Sequence, residues 1–513
     1  MSKNASPPIR PQYFSHPGPE YFLDLVPASL NRFWSQPMTV ALWSQSITGA
    51  NPAHIGANTP AVKPRPAFAQ TDLVALSRYF SLLMMRNITS DGYVIEDPAS
   101  PGVFSAPGCV IAAPSYPANT PGVDQDYVFN WVRDGAITAI EIALAGLLPV
   151  PGGVLPSLVD YVNFAALCQG NAKNSATVTL GHACFTITGE VRPWSEQNDG
   201  PAIQSIAILT LFDQLDGATQ TIAKQLVEAN LSYLLEVYQN KTTNLWEEYE
   251  GYSFFARAVQ LRFFREISTN TIGIAVPAGV ADAIFWLESQ LATHWNGQLY
   301  VSILDAAEQA GYDANIDIIS SVCYGGIEPT DTKLLATAAI LRRQWADPSS
   351  SNYYPINGAD AAEGLGPLFG RYPGDHYDGD VAAPVVGGHP WALCTANFAE
   401  FQYRLANAIE ANGAIPLDQF SEPFFAELGL GASSSTADAS AALRASSDVM
   451  LRAIVYHSDH YELSEQFDGT VGYEKSVRNL TWSYASFLSA VRARSAAAPA
   501  AKSKPRNSRG PKS

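Results

Sequence analysis

The sequence predicts an all-α protein whose helices pair around a common centre, an α/α toroid. Three observations carry that reading. Apolar residues recur at helical spacing in about eleven segments, separated by loops rich in Gly, Pro and Asn. Strand-like runs are few, and "LYVSIL" at 299–304 is the one short strand expected. Many of the helical segments are apolar over more than one face, as inner helices packed on both sides must be.

Taken in order, the text up to about residue 70 is rich in Pro, aromatics and small polar residues without sustained periodicity. Residues 1–70 are therefore expected to form an extended arm lying on the main domain. From Thr71 the pattern changes, and the first helix is read over 72–88, "DLVALSRYFSLLMMRNI". Next come 131–147, "WVRDGAITAIEIALAGL", then 157–168, and 201–216, "PAIQSIAILTLFDQL". The remaining helices are placed at 219–239, 253–267, 280–295, 331–346, 391–412, 438–457 and 481–495. No fixed-period repeat is visible, which weighs against an open solenoid. One helical domain over 71–496 is expected, with the long loops 109–130, 171–198 and 367–390 gathered at one end to build a site. Residues 497–513, Ala/Pro/Lys/Arg-rich, offer nothing to bury and read as a disordered basic tail.

Composition narrows the function. A formal charge of −17 would repel phosphates, so nucleic acid is not an expected partner. No run of about 18 apolar residues occurs, so no transmembrane segment is expected. The N-terminus lacks a secretory pattern, leaving a soluble protein of undetermined compartment. Cys109, Cys168, Cys184, Cys323 and Cys394 show no zinc-like spacing, and their odd number leaves at least one free thiol in a monomer. His457 and His460 have metal-ligand spacing without nearby carboxylate or Cys partners, so neither a metal nor any other cofactor is expected. Sequons at Asn4, Asn87, Asn230, Asn240 and Asn479 are no more than chance supplies.

The unusual residues sit in loops just before helices. "DYVFNWVRDGA" holds Tyr127, Trp131, Arg133 and Asp134, and "RPWSEQNDGPA" holds Arg192, Trp194 and Asp199. "NLWEEYEGYSFF" places Asn244, Trp246, Glu247 and Glu248 together. "GRYPGDHYDG" contributes Arg371 and Asp375, "GHPWALC" Trp391, and "LSEQFDGTVGYEKSVRNLTWSYASF" Glu465 and Trp482. Flat aromatic faces beside Asp, Arg and amide groups are the mixture a sugar site needs. Each piece alone has a plainer reading: Glu247 and Glu248 as first-turn helix acids, Arg133–Asp134 as a structural ion pair, the tryptophans as core anchors.

Together these motifs resemble the fungal-type glucoamylases, glycoside hydrolases of family 15. The resemblance runs from about residue 72 to 495 through WVRD (131–134), QNDGPA (197–202), LWEE with SFF (245–248, 253–255), RYP-x-D (371–375), PW-x-LC (390–394) and SEQFD with LTWSYASF (464–468, 480–487). It implies an (α/α)6 barrel and an exo-acting, inverting enzyme. Such an enzyme releases β-D-glucose from the ends of α-1,4-linked chains and acts more slowly on α-1,6 links. It implies Glu247 as general acid and Glu465 as general base. Arg133, Asp134, Arg371 and Glu248 would hold sugar hydroxyls, and Tyr127, Trp131, Trp246 and Trp482 would line the innermost subsite. Asp375 would organise Arg371, and Trp391 stands beside them. Inversion calls for carboxyls roughly 6.5–9.5 Å apart, and Glu247 must hold its proton while Glu465 stays ionised. Relatives of this kind are mostly secreted or vacuolar, and the chain is expected to act as a monomer on an α-glucan or maltooligosaccharide.

Two departures stand out. Asn244 occupies a place where the family usually has Asp, and extra residues between Pro193 and Gln197 leave the family's tryptophan there without a clear equivalent except Trp194. These motivate the alternatives of an isomaltooligosaccharide or trehalose substrate and, more remotely, a non-catalytic glucan-binding protein. No starch-binding domain or Ser/Thr-rich linker is evident, so granular starch is expected to be a poorer substrate than soluble oligosaccharides.

Overall fold

The computed structural model describes residues 72–114, 126–145, 155–306, 313–379 and 388–496. The expected N-terminal arm and basic tail lie outside the described residues. Fourteen α-helices occur among the described residues. They are α1 (Leu73–Met85), α2 (Val132–Leu144), α3 (Pro156–Asn174), α4 (Gly200–Leu211), α5 (Gly217–Val237), α6 (Phe254–Thr269) and α7 (Gly279–Thr293). The second half adds α8 (Asp317–Tyr324), α9 (Thr332–Ala346), α10 (Pro355–Ala362), α11 (Ala392–Asn412), α12 (Glu422–Ala426), α13 (Thr436–His457) and α14 (Thr481–Ser495).

Six of these helices form an inner ring. α2, α4, α6, α8, α11 and α14 pack successively against one another, and α14 returns to α2 to close the circle. Nearly every residue of α2, α4, α8 and α14 is buried, as inner helices packed on both sides must be. Outside them, α3 backs α2, α5 backs α4, α7 backs α6, α9 backs α8, α13 backs α11 and α1 backs α14. The result is the six-hairpin (α/α)6 barrel. Fully buried Phe254, Phe255, Phe263, Phe264, Phe398 and Phe401 fill the layer between the rings. Each removes enough apolar area from water to contribute roughly 2–3 kcal/mol.

Local chemistry starts and stops the helices. Asp72, Asp216, Ser253 and Asp331 each accept a backbone N–H in the first turn of α1, α5, α6 and α9. Ser435 and Asp438 form a reciprocal capping box on α13. α11 ends where Gly413 takes a left-handed φ of 64°.

The inner helix α8 was not foreseen. Its eight residues, "DIISSVCY", make only about two turns, too short a stretch for a periodic pattern to stand out, and Ile, Ser and Val are indifferent helix formers. The short α10 and α12 escaped notice for the same lack of length. α3 runs six residues beyond its expected end at 168. The expected strand 299–304 shrinks to β5 (Ile303–Leu304), which pairs with β4 (Glu250–Ser253), itself paired with β3 (Thr242–Thr243). Two more short pairs, β1 (Asn130–Trp131) with β2 (Cys184–Phe185) and β6 (Gln466–Phe467) with β7 (Glu474–Lys475), brace the loops.

All five cysteines are free and buried. Three of the sequon asparagines are also sealed in the interior. Asn87 donates to the Asn479 carbonyl and Thr481 Oγ1 at 2.7 Å each, Asn230 joins a network with Gln204 and Ser205, and Asn479 is itself buried. None of the three can present its amide to a modifying enzyme in the folded chain. No helix among the described residues is long and apolar enough to cross a membrane.

Candidate active site

Every inner helix is entered from a loop at the same end of the barrel, and those six entries supply the site. The β1–α2 junction brings Trp131, Arg133 and Asp134; the loop before α4 brings Trp194, Gln197 and Asp199. The β3–β4 hairpin carries Asn244 to Glu248, the segment just before α8 adds Asn315, the segment before α11 adds Arg371 to Tyr377, and the β6 and α14 entries add Glu465 and Trp482. Residues up to 355 positions apart therefore meet because parallel inner helices point their N-termini at one place.

The β3–β4 turn is the most unusual backbone. Glu247 adopts φ 67°, a left-handed conformation that costs a non-glycine residue about 1–2 kcal/mol. The turn is held by Asn244, which is 1% exposed. Its Oδ1 accepts the N–H of Glu248 at 2.9 Å and of Tyr249 at 3.1 Å. Its carbonyl accepts the N–H of Glu247 at 3.0 Å, and its own N–H donates to the Tyr249 carbonyl at 2.8 Å. The side-chain oxygen is thus spent on the backbone, a task an amide performs as well as a carboxylate. Replacing Asn244 by Ala should leave two half-buried amides without their acceptor and lower stability by about 1–2 kcal/mol, with kcat falling more than KM changes. Asp at this position should hold stability near that of the parent. Denaturant unfolding with parallel kinetics checks both.

The strained turn aims the two glutamates apart. Glu247 Oε2 accepts Trp194 Nε1–H at 2.7 Å, while its Oε1 lies 3.5 Å from Arg133 Nη2. Trp194 also packs edge-on to Trp131 at 5.5 Å and stacks on the Arg192 guanidinium at 4.6 Å, yet remains 41% exposed at the mouth. The inserted residues after Pro193 therefore deliver an indole to Glu247. Glu248 turns the other way: Arg371 Nη2 donates to its Oε1 at 2.9 Å, and Tyr372 Oη donates to both its oxygens at 3.0 and 2.9 Å. Burial pushes the Glu248 carboxyl up, opposed by Arg371. Asp375 grips Arg371 with paired bonds of 2.8 and 2.7 Å.

A floor of indoles lies between these groups. Trp246 stacks on Trp482 at 6.2 Å and tilts against Trp391 at 5.7 Å, and its Nε1 donates to Asn315 Oδ1 at 2.9 Å. The Arg133 guanidinium lies 5.0 Å over Trp482 and the Arg371 guanidinium 5.0 Å over Trp391. Arg133 bonds Gln197 and Asp199 and sits 3.6 Å from Asp134, whose carboxyl burial drives upward against the pull of that arginine.

Across the floor, Glu465 is 3% exposed. Tyr127 Oη donates to its Oε1 at 3.0 Å, Tyr377 Oη to its Oε2 at 3.2 Å, and Ser476 Oγ also donates to Oε2. Burial pushes the Glu465 carboxyl's pKa up, and the hydroxyls and nearby Arg371 oppose that rise. Several buried polar atoms have no hydrogen-bond partner among the described residues: Arg133 Nε, Asp134 Oδ2, Asp199 Oδ1, Glu247 Oε1 and Trp391 Nε1. Unmatched donors and acceptors concentrated in one place are what a ligand rich in hydroxyls would satisfy.

The sequence of glycosyl hydrolases family 15 matches residues 81–492. The chain belongs to that family. As a family 15 member it is a glycoside hydrolase, and its helical ring agrees with the solved structures of the group. The glucoamylase of Hormoconis resinae superposes with a TM-score of 0.68 at 27% identity, covering 83% of this chain and 74% of that one. The glucoamylase of Saccharomycopsis fibuligera shares the fold, with a TM-score of 0.64 at 22% identity. Among characterised sequences, Glucoamylase 1 of Rhizopus oryzae is 28% identical over 412 residues, which span 73% of this chain and 66% of that protein. A probable glucoamylase of Schizosaccharomyces pombe is 27% identical over 434 residues, spanning 80% of this chain and 89% of that protein.

All sixteen residues singled out in the loops of the sequence fall in this one cluster. Five participants were not singled out: Gln197, Asn315, Tyr372, Tyr377 and Ser476. Tyr372 and Tyr377 flank Asp375 in a stretch already noted, so that aromatic-rich loop was the available signal. Ser476 lies just past the far strand of the β6–β7 hairpin, where nothing in the text marks it.

Proposed function

We propose that this family 15 enzyme is an exo-acting, inverting α-glucosidase of the glucoamylase type. It hydrolyses terminal α-1,4 links of starch-like oligo- and polysaccharides, and α-1,6 links more slowly, to release β-D-glucose. The observation that carries the reading is the pair of carboxyls on opposing loops in contrasting surroundings. Glu247 is reached by a guanidinium and an indole N–H at the mouth, whereas Glu465 is sunk among three hydroxyls.

In this scheme Glu247 protonates the glycosidic oxygen as the bond breaks, and Glu465 takes a proton from the water that attacks the opposite face of the sugar. Arg133 and Asp134 hold hydroxyls of the terminal glucose. Glu248 and Arg371 bind the same or the next unit, and Trp131, Trp246, Trp482 and Tyr127 wall the innermost subsite. The chain works as a monomer in this reading.

Maltotriose tests the proposal directly. Polarimetry during hydrolysis should record release of the β-anomer, and chromatography should show glucose and maltose as the first products. Release of the α-anomer would contradict the water-activating role of Glu465. Trp194, which reaches the acid from an inserted loop, favours weighing a different leaving group. Faster cleavage of isomaltose or trehalose than of maltose would shift the substrate while keeping the machinery.

A further inference from the structure

Beyond the acid and the base, one side chain touches both halves of the site. Tyr377 Oη lies 3.2 Å from Glu465 Oε2 and 2.9 Å from Tyr127 Oη, which itself bonds Glu465 Oε1 at 3.0 Å. The Tyr377 ring lies 5.2 Å beneath the Arg371 guanidinium and tilts against Trp391 at 5.7 Å. Its backbone N–H donates to Asp375 Oδ1 at 2.9 Å, the same oxygen that receives Arg371 Nη2. Its carbonyl accepts Gln466 Nε2–H at 3.2 Å, from the residue next to the base. The group that clamps sugar and the group that activates water are thus joined through one phenol.

The wall behind this phenol is built for close approach. A Cβ placed on Gly379 would stand 1.9 Å from Ser476 Oγ, 2.4 Å from Ser476 Cβ and 3.1 Å from Tyr377 Oη. Any side chain at Gly379 would therefore push out the two hydroxyls that bond Glu465 Oε2.

We propose that Tyr377 is a positioning residue for the base: with Ser476, against the bare backbone of Gly379, it fixes the Glu465 carboxylate and ties it to the Arg371 clamp. The proposal rests on the reading of Glu465 as general base. With one Glu465 oxygen bonded by Ser476 and Tyr377 and the other by Tyr127, the carboxylate plane is set, and only the remaining lone pair is left for water. The other charged or titratable groups bearing on Glu465 are Arg371, which favours the ionised form, and the buried thiol of Cys394.

The test is the pH profile of kcat/KM on maltotriose, measured for the parent, Tyr377→Phe, Gly379→Ala and Glu465→Gln. Phe keeps the ring under Arg371 and removes only the hydroxyl. We expect its acidic limb to move to higher pH and kcat to fall about tenfold while KM changes less than twofold. Gly379→Ala should move the same limb in the same direction while leaving the Tyr377 hydroxyl in the chain. A Tyr377→Phe enzyme with the parent's acidic limb and kcat overturns the proposal, provided Glu465→Gln is inactive. A Glu465→Gln enzyme that keeps its activity instead overturns the assignment of the base itself. The two failures are therefore distinct.

Discussion

Glu247→Gln should turn over maltotriose about a thousandfold more slowly than the parent while binding maltose with comparable affinity. A sugar alkoxide is a poor leaving group, and an amide cannot donate the proton that neutralises it, so the whole general-acid contribution of roughly 10²–10⁴ is at stake. Gln retains the shape that accepts Trp194 Nε1–H at 2.7 Å and can stay beside Arg133, so the floor of indoles and the strained turn should persist. The loss should fall on kcat, because the missing interaction exists only as the bond breaks. A substrate with an activated leaving group, such as an aryl glucoside, should recover much of the rate. Steady-state kinetics on maltotriose and an aryl α-glucoside, with calorimetric titration of maltose, checks all three statements. Parent-like turnover by the variant would remove Glu247 from the chemistry, and absence of glucose release by the parent would favour a non-catalytic glucan-binding protein.

The second large effect is on stability against pH. Asp317 is 0% exposed at the start of α8; Ser302 Oγ donates to its Oδ2 at 2.5 Å, and its Oδ1 has no hydrogen-bond partner among the described residues. No cation stands against it, so burial pushes its carboxyl up to about 7, with the Ser302 hydroxyl opposing. In the unfolded chain it would titrate near 4. Between those values the folded protein holds a proton that the unfolded chain has released, so stability falls as pH rises from about 4 towards 7. Three units at 1.36 kcal/mol each set an upper bound on the order of 4 kcal/mol for the loss. Buried Glu474, pushed up to about 8, and buried Glu141 act in the same direction. The protein should therefore be most stable in mild acid and lose melting temperature steadily on the way to neutrality. Asp317→Asn keeps the neutral shape, so it should flatten that slope and raise the melting temperature at pH 7.5 by a few degrees. Thermal unfolding of both proteins from pH 4.5 to 8 decides it, and a variant no more stable than the parent at pH 7.5 would rule out a charged, buried Asp317.

The two departures noted in the sequence resolve differently once the chain is folded. Asn244 looks like a lost charge in the text, but its oxygen bonds two backbone amides and serves the turn beneath the glutamates. Trp194 looks like a displaced residue, but the inserted loop returns its indole to Glu247. Neither outcome is available from spacing, because both depend on where a loop comes back in space.

What the sequence determined by itself is the architecture and the cast. Helical periodicity survives in a linear text because burial of one face repeats every three to four residues, so eleven helices and the motifs before them could be read directly. A short helix gives that signal too little length, and α8, eight residues long, surfaced only as a member of the closed ring. Only the tertiary structure decided which residues face one another: that Glu247 and Glu248 diverge from a left-handed turn, that Tyr377 spans Arg371 and Glu465, and that Ser476 completes the surroundings of Glu465. Those pairings join loops that ring closure brings together, and the energy of such contacts depends on distance in space rather than along the chain.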